Sequence, residues 1–235
     1  MKPRRILETV TLPDGAAMTL VLEGDAFVVR VNGNVLMSSR MHGSEKEMAN
    51  LGCTGLRERR GARVLVGGLG MGFTLRAALD LVAADTEVVV CELADELVAW
   101  NRGPLAHLSL HALDDPRVRV HRGDFVDYLA SDHGRFHVIL VDIDNGPEAL
   151  TLQTNARLYR EAGLRTLHDA LTPDGVVVIW SAFASAAFAT RMRRAGFDCA
   201  AHRVRARGPV IKKGGAHTLY VGRLQARVVS SRAPC

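Results

Sequence analysis

Residues 63–93 read RVLVGGLGMGFTLRAALDLVAADTEVVVCEL: an apolar run, a glycine-rich break, a helical stretch and a second apolar run that ends in Glu92. Neither apolar run alternates with polar residues, which is the pattern of strands in a parallel sheet covered on both faces. FTLRAALDLVAA places its apolar residues at helical spacing between them, so the segment is a βαβ unit with a right-handed crossover. Gly68, Gly70 and Gly72 fall between the strand and the helix. Glycine there permits a tight turn, lets a ligand approach the backbone closely and leaves the helix's first amides aimed at that ligand.

Towards the C-terminus the alternation continues. DELVAWNRG reads as a helix, RVRVHRG, FHVILVDI and GVVVIWSA as strands, and ALTLQTNARLYREAGLRTLHDAL and ASAAFATRMRRAG contain further helices. FDCAAHRVRA and HTLYVGRL close the pattern as two more strands. The expectation is a Rossmann-like α/β domain, a mostly parallel seven-stranded sheet with helices on both faces. Towards the N-terminus, ILETVTL, MTLVLEG, AFVVRVNG and NVLMSS are short runs broken at Asp14-Gly15, Gly24-Asp25 and Asn32-Gly33, which reads as a small antiparallel β-domain. Ser44, followed three residues later by Glu47, reads as a capping box that starts a helix. The expected partition is a β-hairpin domain over 1–43, a linking helix over 44–61, the nucleotide-binding domain over 62–224 and a frayed tail over 225–235.

Bulk composition sets limits on function. The chain has 235 residues, of which 48% are hydrophobic and 23% charged, as in folded globular proteins. MKPRRILETVTLPDG contains no apolar run long enough for a signal peptide or a membrane span, so a cytoplasmic location without a membrane partner is expected. The four cysteines, Cys53, Cys91, Cys199 and Cys235, are scattered without zinc-like spacing, and Cys91 reads as a buried free thiol within a strand. His107 and His111 lie four apart with no third ligand in reach, so no metal is expected. A net charge of +5, crowded into Arg191, Arg193, Arg194, Arg203, Arg205, Arg207, Lys212 and Lys213, favours anionic partners. With only 5% aromatics and no interleaving of aromatic with basic residues, no nucleic-acid partner is expected.

The residues at the strand ends carry the chemistry. Glu92, about twenty residues beyond the glycine loop, stands where a carboxylate accepts hydrogen bonds from ribose hydroxyls. In DPRVRVHRGDFVDYL, Gly123 and Asp124 follow the next strand, and Asp124 can take an adenine amino group or simply cap the helix behind it. In FHVILVDIDNGPEALT, Asp142 and Asp144 end a central strand and point to the same side; paired carboxylates there can hold a cation or accept a proton, and Asp-Asn-Gly-Pro is also a good turn. Trp100 reads as packing. Trp180 and His217 read as possible walls of an acceptor pocket, with the loop before His217 able to close over it.

Taken together, the glycine loop, Glu92, the DPRV…GD segment, VDIDNGP and LTPDGVVVIW resemble the spermidine synthase-like family of aminopropyltransferases and methyltransferase-fold proteins. VNGNVLMSSRMHGSEKEM extends the resemblance into the N-terminal β-domain through Gly33, Arg40, Glu47 and Met48. The resemblance implies an adenosyl sulfonium donor bound at Gly68, Gly70, Gly72, Glu92, Gly123, Asp124 and Asp142, with catalysis at Asp142 and Asp144, and a homodimer. The chain departs from the family at several points. Met71 replaces an Asp in the glycine loop that holds the donor's amine, Leu36 replaces a Gln, Glu45-Lys46 replaces a Tyr-His pair, and Asp142-Ile143-Asp144-Asn145 replaces Asp-x-x-Asp-Pro.

These departures lead to the expectation of an S-adenosylmethionine-dependent transferase, a methyltransferase acting on a small-molecule acceptor, because losing the loop carboxylate removes the partner of the aminopropyl ammonium. Methyl transfer to a well-aligned acceptor needs little beyond alignment, since the sulfonium drives it. The alternatives are an aminopropyltransferase using decarboxylated S-adenosylmethionine and a non-catalytic nucleotide-binding pseudoenzyme.

Overall fold

The computed structural model describes residues 3–12, 15–131, 134–143, 146–147, 153–206 and 215–224. The first four strands, β1 (Arg4–Thr11), β2 (Ala17–Glu23), β3 (Ala26–Val31) and β4 (Asn34–Ser38), form an antiparallel sheet in sequential order. Two of its turns are those the sequence marks, with Gly24 at φ 68° and Asn32-Gly33 at φ 49° and 80°. Asn-Gly with both residues at positive φ is the turn whose twist suits a hairpin.

Helix α1 (Gly43–Cys53) then crosses to the larger sheet. It does not begin with a capping box. The N-cap position is His42, no side chain caps the helix, and Ser44 lies inside it, fully buried. The Ser44 hydroxyl is drawn instead to Glu45 and to His217, far away in sequence, because burial favours fixed polar partners over a local backbone amide.

The second sheet is built from β5 (Arg63–Gly67), β6 (Glu87–Glu92), β7 (Val118–Arg122), β8 (Phe136–Val141), β9 (Leu171–Ser181), β10 (Phe197–Arg205) and β11 (Ala216–Leu224). Its order is β10-β11-β9-β8-β5-β6-β7. Strands β5 to β9 pair in parallel, while β11 joins β9 and β10 joins β11 antiparallel. The mostly parallel seven-stranded α/β architecture behind a small antiparallel sheet is therefore as the sequence implies.

Alternation along the strands divides the core into two layers. Val64, Val66, Val88, Val90, Val138, Leu140, Val176 and Val178 pack with α1 and with α2 (Phe73–Leu81). Their neighbours Leu65, Val89, Ile139, Val141, Val177 and Ile179 face the other way, towards α4 (Phe125–Ala130), α5 (Glu161–Asp169) and α6 (Ala186–Arg194). A third cluster joins Met18, Leu20 and Val29 of the small sheet to Met71 and to Leu97 and Trp100 of α3 (Asp95–Arg102). Trp100 is 2% exposed and its indole N–H donates to Glu8 at 2.7 Å, so it is a packing residue that ties α3 to β1. Cys91 is buried, as its strand context implies, and burial pushes its thiol up to about 12.

Strand β5 has β8 on one side and β6 on the other, with the helices after β5 and β8 on opposite faces. A ligand crevice opens beyond the carboxyl ends of strands at such a switch point, and it is here that the glycine loop lies.

Candidate active site

The loop from Gly67 to Phe73 is held by its own backbone. Gly68, Gly70 and Gly72 have φ values of 86°, 51° and 79°, a region that glycine enters without penalty. The Gly68 N–H bonds the carbonyl of Cys91 at 2.9 Å, and the Asp142 N–H bonds the carbonyl of Gly67 at 2.8 Å, so the ends of β5, β6 and β8 are laced together. Gly68 is also a close approach, for a Cβ there would overlap the Asp142 carbonyl. Gly72 precedes α2 with no side-chain cap, leaving the helix's first amides to the crevice.

Glu92 ends β6 at 8% exposure. One carboxylate oxygen accepts from Leu69 N and the other from Ala94 N, each at 2.9 Å. Burial raises its pKa, opposed by the N–H groups of Ala94, Leu69, Leu93 and Gly70. These amides pre-aim the side chain at the end of β6, beside the glycine loop. Gly123 joins this arrangement, its N–H bonding the Glu92 carbonyl at 2.9 Å.

Asp124 is the N-cap of α4, accepting from Val126 N at 2.7 Å and Asp127 N at 3.0 Å. Arg157 reaches the same oxygen at 2.6 Å and also meets Asp127 at 2.8 Å. All three contacts fall on Oδ1, which leaves Oδ2 for a ligand. Capping and ligand binding, alternatives in the sequence, are thus compatible in one side chain.

Asp142 lies beside the glycine loop, where Thr74 at the start of α2 donates to its Oδ2 at 3.0 Å. Burial raises its pKa, against the Thr74 hydrogen bond. Asp144 lies outside the described residues, as does the segment 207–214 before the last strand. The carboxylate that the structure does bring towards Asp142 is Glu45, in the first turn of α1. Burial first, and then the charge of Asp142, push Glu45 up to about 8, with the Ser44 hydroxyl acting in the opposite sense. The two negative charges disfavour one another, so both carboxyls hold their protons to higher pH than a solvated acid.

Behind Glu45 stands a short chain of hydrogen bonds. Ser44 Oγ donates to Glu45 Oε2 at 2.7 Å and lies 2.9 Å from Nδ1 of His217 on β11. The imidazole sits edge-on to Trp180, ring centres 4.5 Å apart, and burial lowers its pKa. The Trp180 indole nitrogen is buried without a partner among the described residues. Trp180 and His217 thus lie together on neighbouring strands. His107 and His111 have other surroundings: His107 packs edge-on to Phe27 at 5.4 Å, and His111 lies 3.6 Å from Asp114. Met71, in the loop position of the missing Asp, is 3% exposed and turned into the core with Met18 and Trp100, and Leu36 packs against the same cluster.

The spermine/spermidine synthase domain model matches residues 41–188. The chain belongs to the spermine/spermidine synthase family. Polyamine aminopropyltransferase 2 of Pseudomonas aeruginosa is 34% identical over 120 residues, covering 49% of this chain and 32% of that protein. A polyamine aminopropyltransferase of Synechococcus is 33% identical over 121 residues, covering 50% of this chain and 36% of that protein. The chain therefore spans about a third of the length of these curated relatives. The spermidine synthase of Thermotoga maritima superposes with a TM-score of 0.73 at 19% identity, over 93% of this chain and 72% of that one, which establishes the fold.

The expectation of methyl transfer is overturned by these comparisons. It rested on the missing loop carboxylate, but the curated relatives are aminopropyltransferases. Nor does Met71 empty the neighbourhood of acid, because Glu45 stands in the first turn of α1, whose start packs on Phe73 next to the Thr74–Asp142 hydrogen bond. Sequence reading noted Glu45 only as a departure from Tyr. An acidic residue in the first turn of a helix is ordinarily explained by the helix dipole, and no local signal announces that this one bonds a fully buried serine tied to β11.

Proposed function

We propose that this chain transfers an aminopropyl group from decarboxylated S-adenosylmethionine to an amine. The observation that carries this reading is the set of carboxylates around the family's glycine loop, with Glu92 at the end of β6 held by the loop amides and Asp142 and Glu45 half-buried beside the start of α2. In the reaction the lone pair of the acceptor nitrogen attacks the propyl carbon bonded to sulfur. The C–N bond forms as the C–S bond breaks, its electrons go to the sulfonium sulfur, and methylthioadenosine leaves as a neutral thioether. The nitrogen then loses a proton.

In this reading Glu92 accepts the ribose hydroxyls and Asp124, through Oδ2, the adenine amino group. Gly68, Gly70 and Gly72 let the backbone approach the donor, and Gly123 fixes the turn that brings Asp124 beside Glu92. In the same reading Asp142, oriented by Thr74, binds a substrate ammonium or receives the proton from the attacking nitrogen. Holding nucleophile and propyl carbon in line supplies much of the acceleration, because the positive sulfur already makes a good leaving group.

The test is to incubate the protein with decarboxylated S-adenosylmethionine and a series of diamines and to follow methylthioadenosine by mass spectrometry. Methylthioadenosine appearing in step with an amine lengthened by one aminopropyl unit is expected. Its absence with every diamine would contradict the reading.

A further inference from the structure

We propose that Glu45 is a substrate-binding carboxylate that, together with Asp142, clasps one ammonium group of a cationic substrate, with Ser44 and His217 as its positioning residues. This rests on the aminopropyl-transfer reading and assigns the cation recognition of that same site.

The argument begins with charge. Glu45 and Asp142 are half-buried on the same side of the glycine loop: His42, just before α1, stacks on Phe73 with ring centres 4.4 Å apart, and the next residue, Thr74, bonds Asp142; among the described residues the polar groups found on the two carboxylates are neutral, the hydroxyl of Ser44 on Glu45 and that of Thr74 on Asp142. Neither has a lysine or arginine at ion-pair distance among the described residues, although arginines pair with acids over much of the remaining surface. Two neighbouring half-buried carboxylates without a protein cation repel one another, and a cation supplied by the substrate relieves both.

The second strand of the argument is orientation. Ser44 is fully buried, and its hydroxyl stands between Glu45 Oε2 at 2.7 Å and Nδ1 of His217 at 2.9 Å. Residues from α1 and β11, joined across 173 positions of sequence, thus hold Oε2 of Glu45. A carboxylate whose only task was to favour the helix N-terminus would need no such support and would be better solvated. The unpartnered indole N–H of Trp180, against His217, adds an unused donor on the same wall. Met71 being folded into the core, no acidic side chain of the loop segment Gly68–Gly72 shares this role.

Calorimetry on the full chain distinguishes this role from a structural one. Putrescine is titrated into protein saturated with methylthioadenosine, which has no ammonium group, and methylthioadenosine is titrated separately. In Glu45→Gln, putrescine binding should weaken by about 10- to 100-fold, the effect of losing a charged hydrogen-bond partner, with methylthioadenosine affinity unchanged within about twofold. Ser44→Ala, which keeps the carboxylate but frees it, should show a smaller loss of the same selectivity. Equal losses for both ligands in Glu45→Gln, no loss for putrescine, or a wild-type protein that binds no putrescine would each overturn the proposal. Should Glu45-dependent putrescine binding be found without release of methylthioadenosine from the donor, the aminopropyl-transfer reading fails and the cation site stands.

Discussion

Replacing Gly68 by alanine separates two costs that the structure combines at one position. Gly68 has φ 86°, where a side chain costs about 1–2 kcal/mol from its own backbone. A Cβ would also overlap the Asp142 carbonyl oxygen and stand 2.9 Å from its carbon and 3.3 Å from the Cα of Ile143, all backbone atoms that no rotamer change can move aside. Parting β5 from β8 there adds about 1–3 kcal/mol, as overpacking of a dense interior does. The total, about 2–5 kcal/mol, corresponds to a fall of about 5–15 °C in melting temperature for a chain of this size. Gly33 is the control: its φ is 80°, but a Cβ meets nothing within 4 Å, so Gly33→Ala carries the backbone cost alone. Thermal and urea unfolding of both variants give the comparison. Equal destabilisation of the two would refute the close approach at the crevice, whereas an excess at Gly68 measures it.

Three further outcomes follow from the same geometry. Glu92→Ala strands the N–H groups of Leu69 and Ala94 in a buried place and should cost about 2–4 kcal/mol in urea unfolding as well as abolishing donor binding; wild-type stability would show that the carboxylate does not organise the loop. Cys53 and Cys91, pushed up to about 12 by burial, should resist a thiol reagent at pH 8 in the native protein and react after unfolding, and rapid native labelling of either, mapped by mass spectrometry, would contradict their placement. Glu45 has a folded pKa raised above its unfolded value of 4.5 to about 8, so the native state holds the extra proton and stability declines as pH rises through that interval. Glu45→Gln removes the titration, and its stability relative to wild type should grow from pH 4.5 to pH 8; a constant difference would place Glu45 in solvent.

The fold was legible because its signals are local and repeated. Uninterrupted valine-rich runs such as VVVCE and VILV occur only where both faces of a strand are covered, and the order of strands around Gly68 follows from connection rules. Glu92 and Asp124 were legible for the same reason, each standing directly after a strand end that the pattern had already placed. Glu45 was not, since its partners are Asp142 and, through Ser44, His217, and no period in the sequence brings α1, β8 and β11 to one point. Ser44 shows how a local rule is overridden: its spacing to Glu47 suits a capping box, but burial against β11 gives its hydroxyl stronger partners than a helix amide. Met71 misled in the opposite direction, because the loss of an acid at one position says nothing about a replacement arriving from another element.

The most direct test of the account is a pair of calorimetric titrations, one with decarboxylated S-adenosylmethionine and one with S-adenosylmethionine, each repeated on Glu92→Ala. Aminopropyl transfer requires tighter binding of the decarboxylated donor, because the extra carboxylate of S-adenosylmethionine would be brought towards Asp142 and Glu45, and it requires loss of that binding in the variant. Equal or tighter binding of S-adenosylmethionine, or no binding of the decarboxylated form, would contradict it.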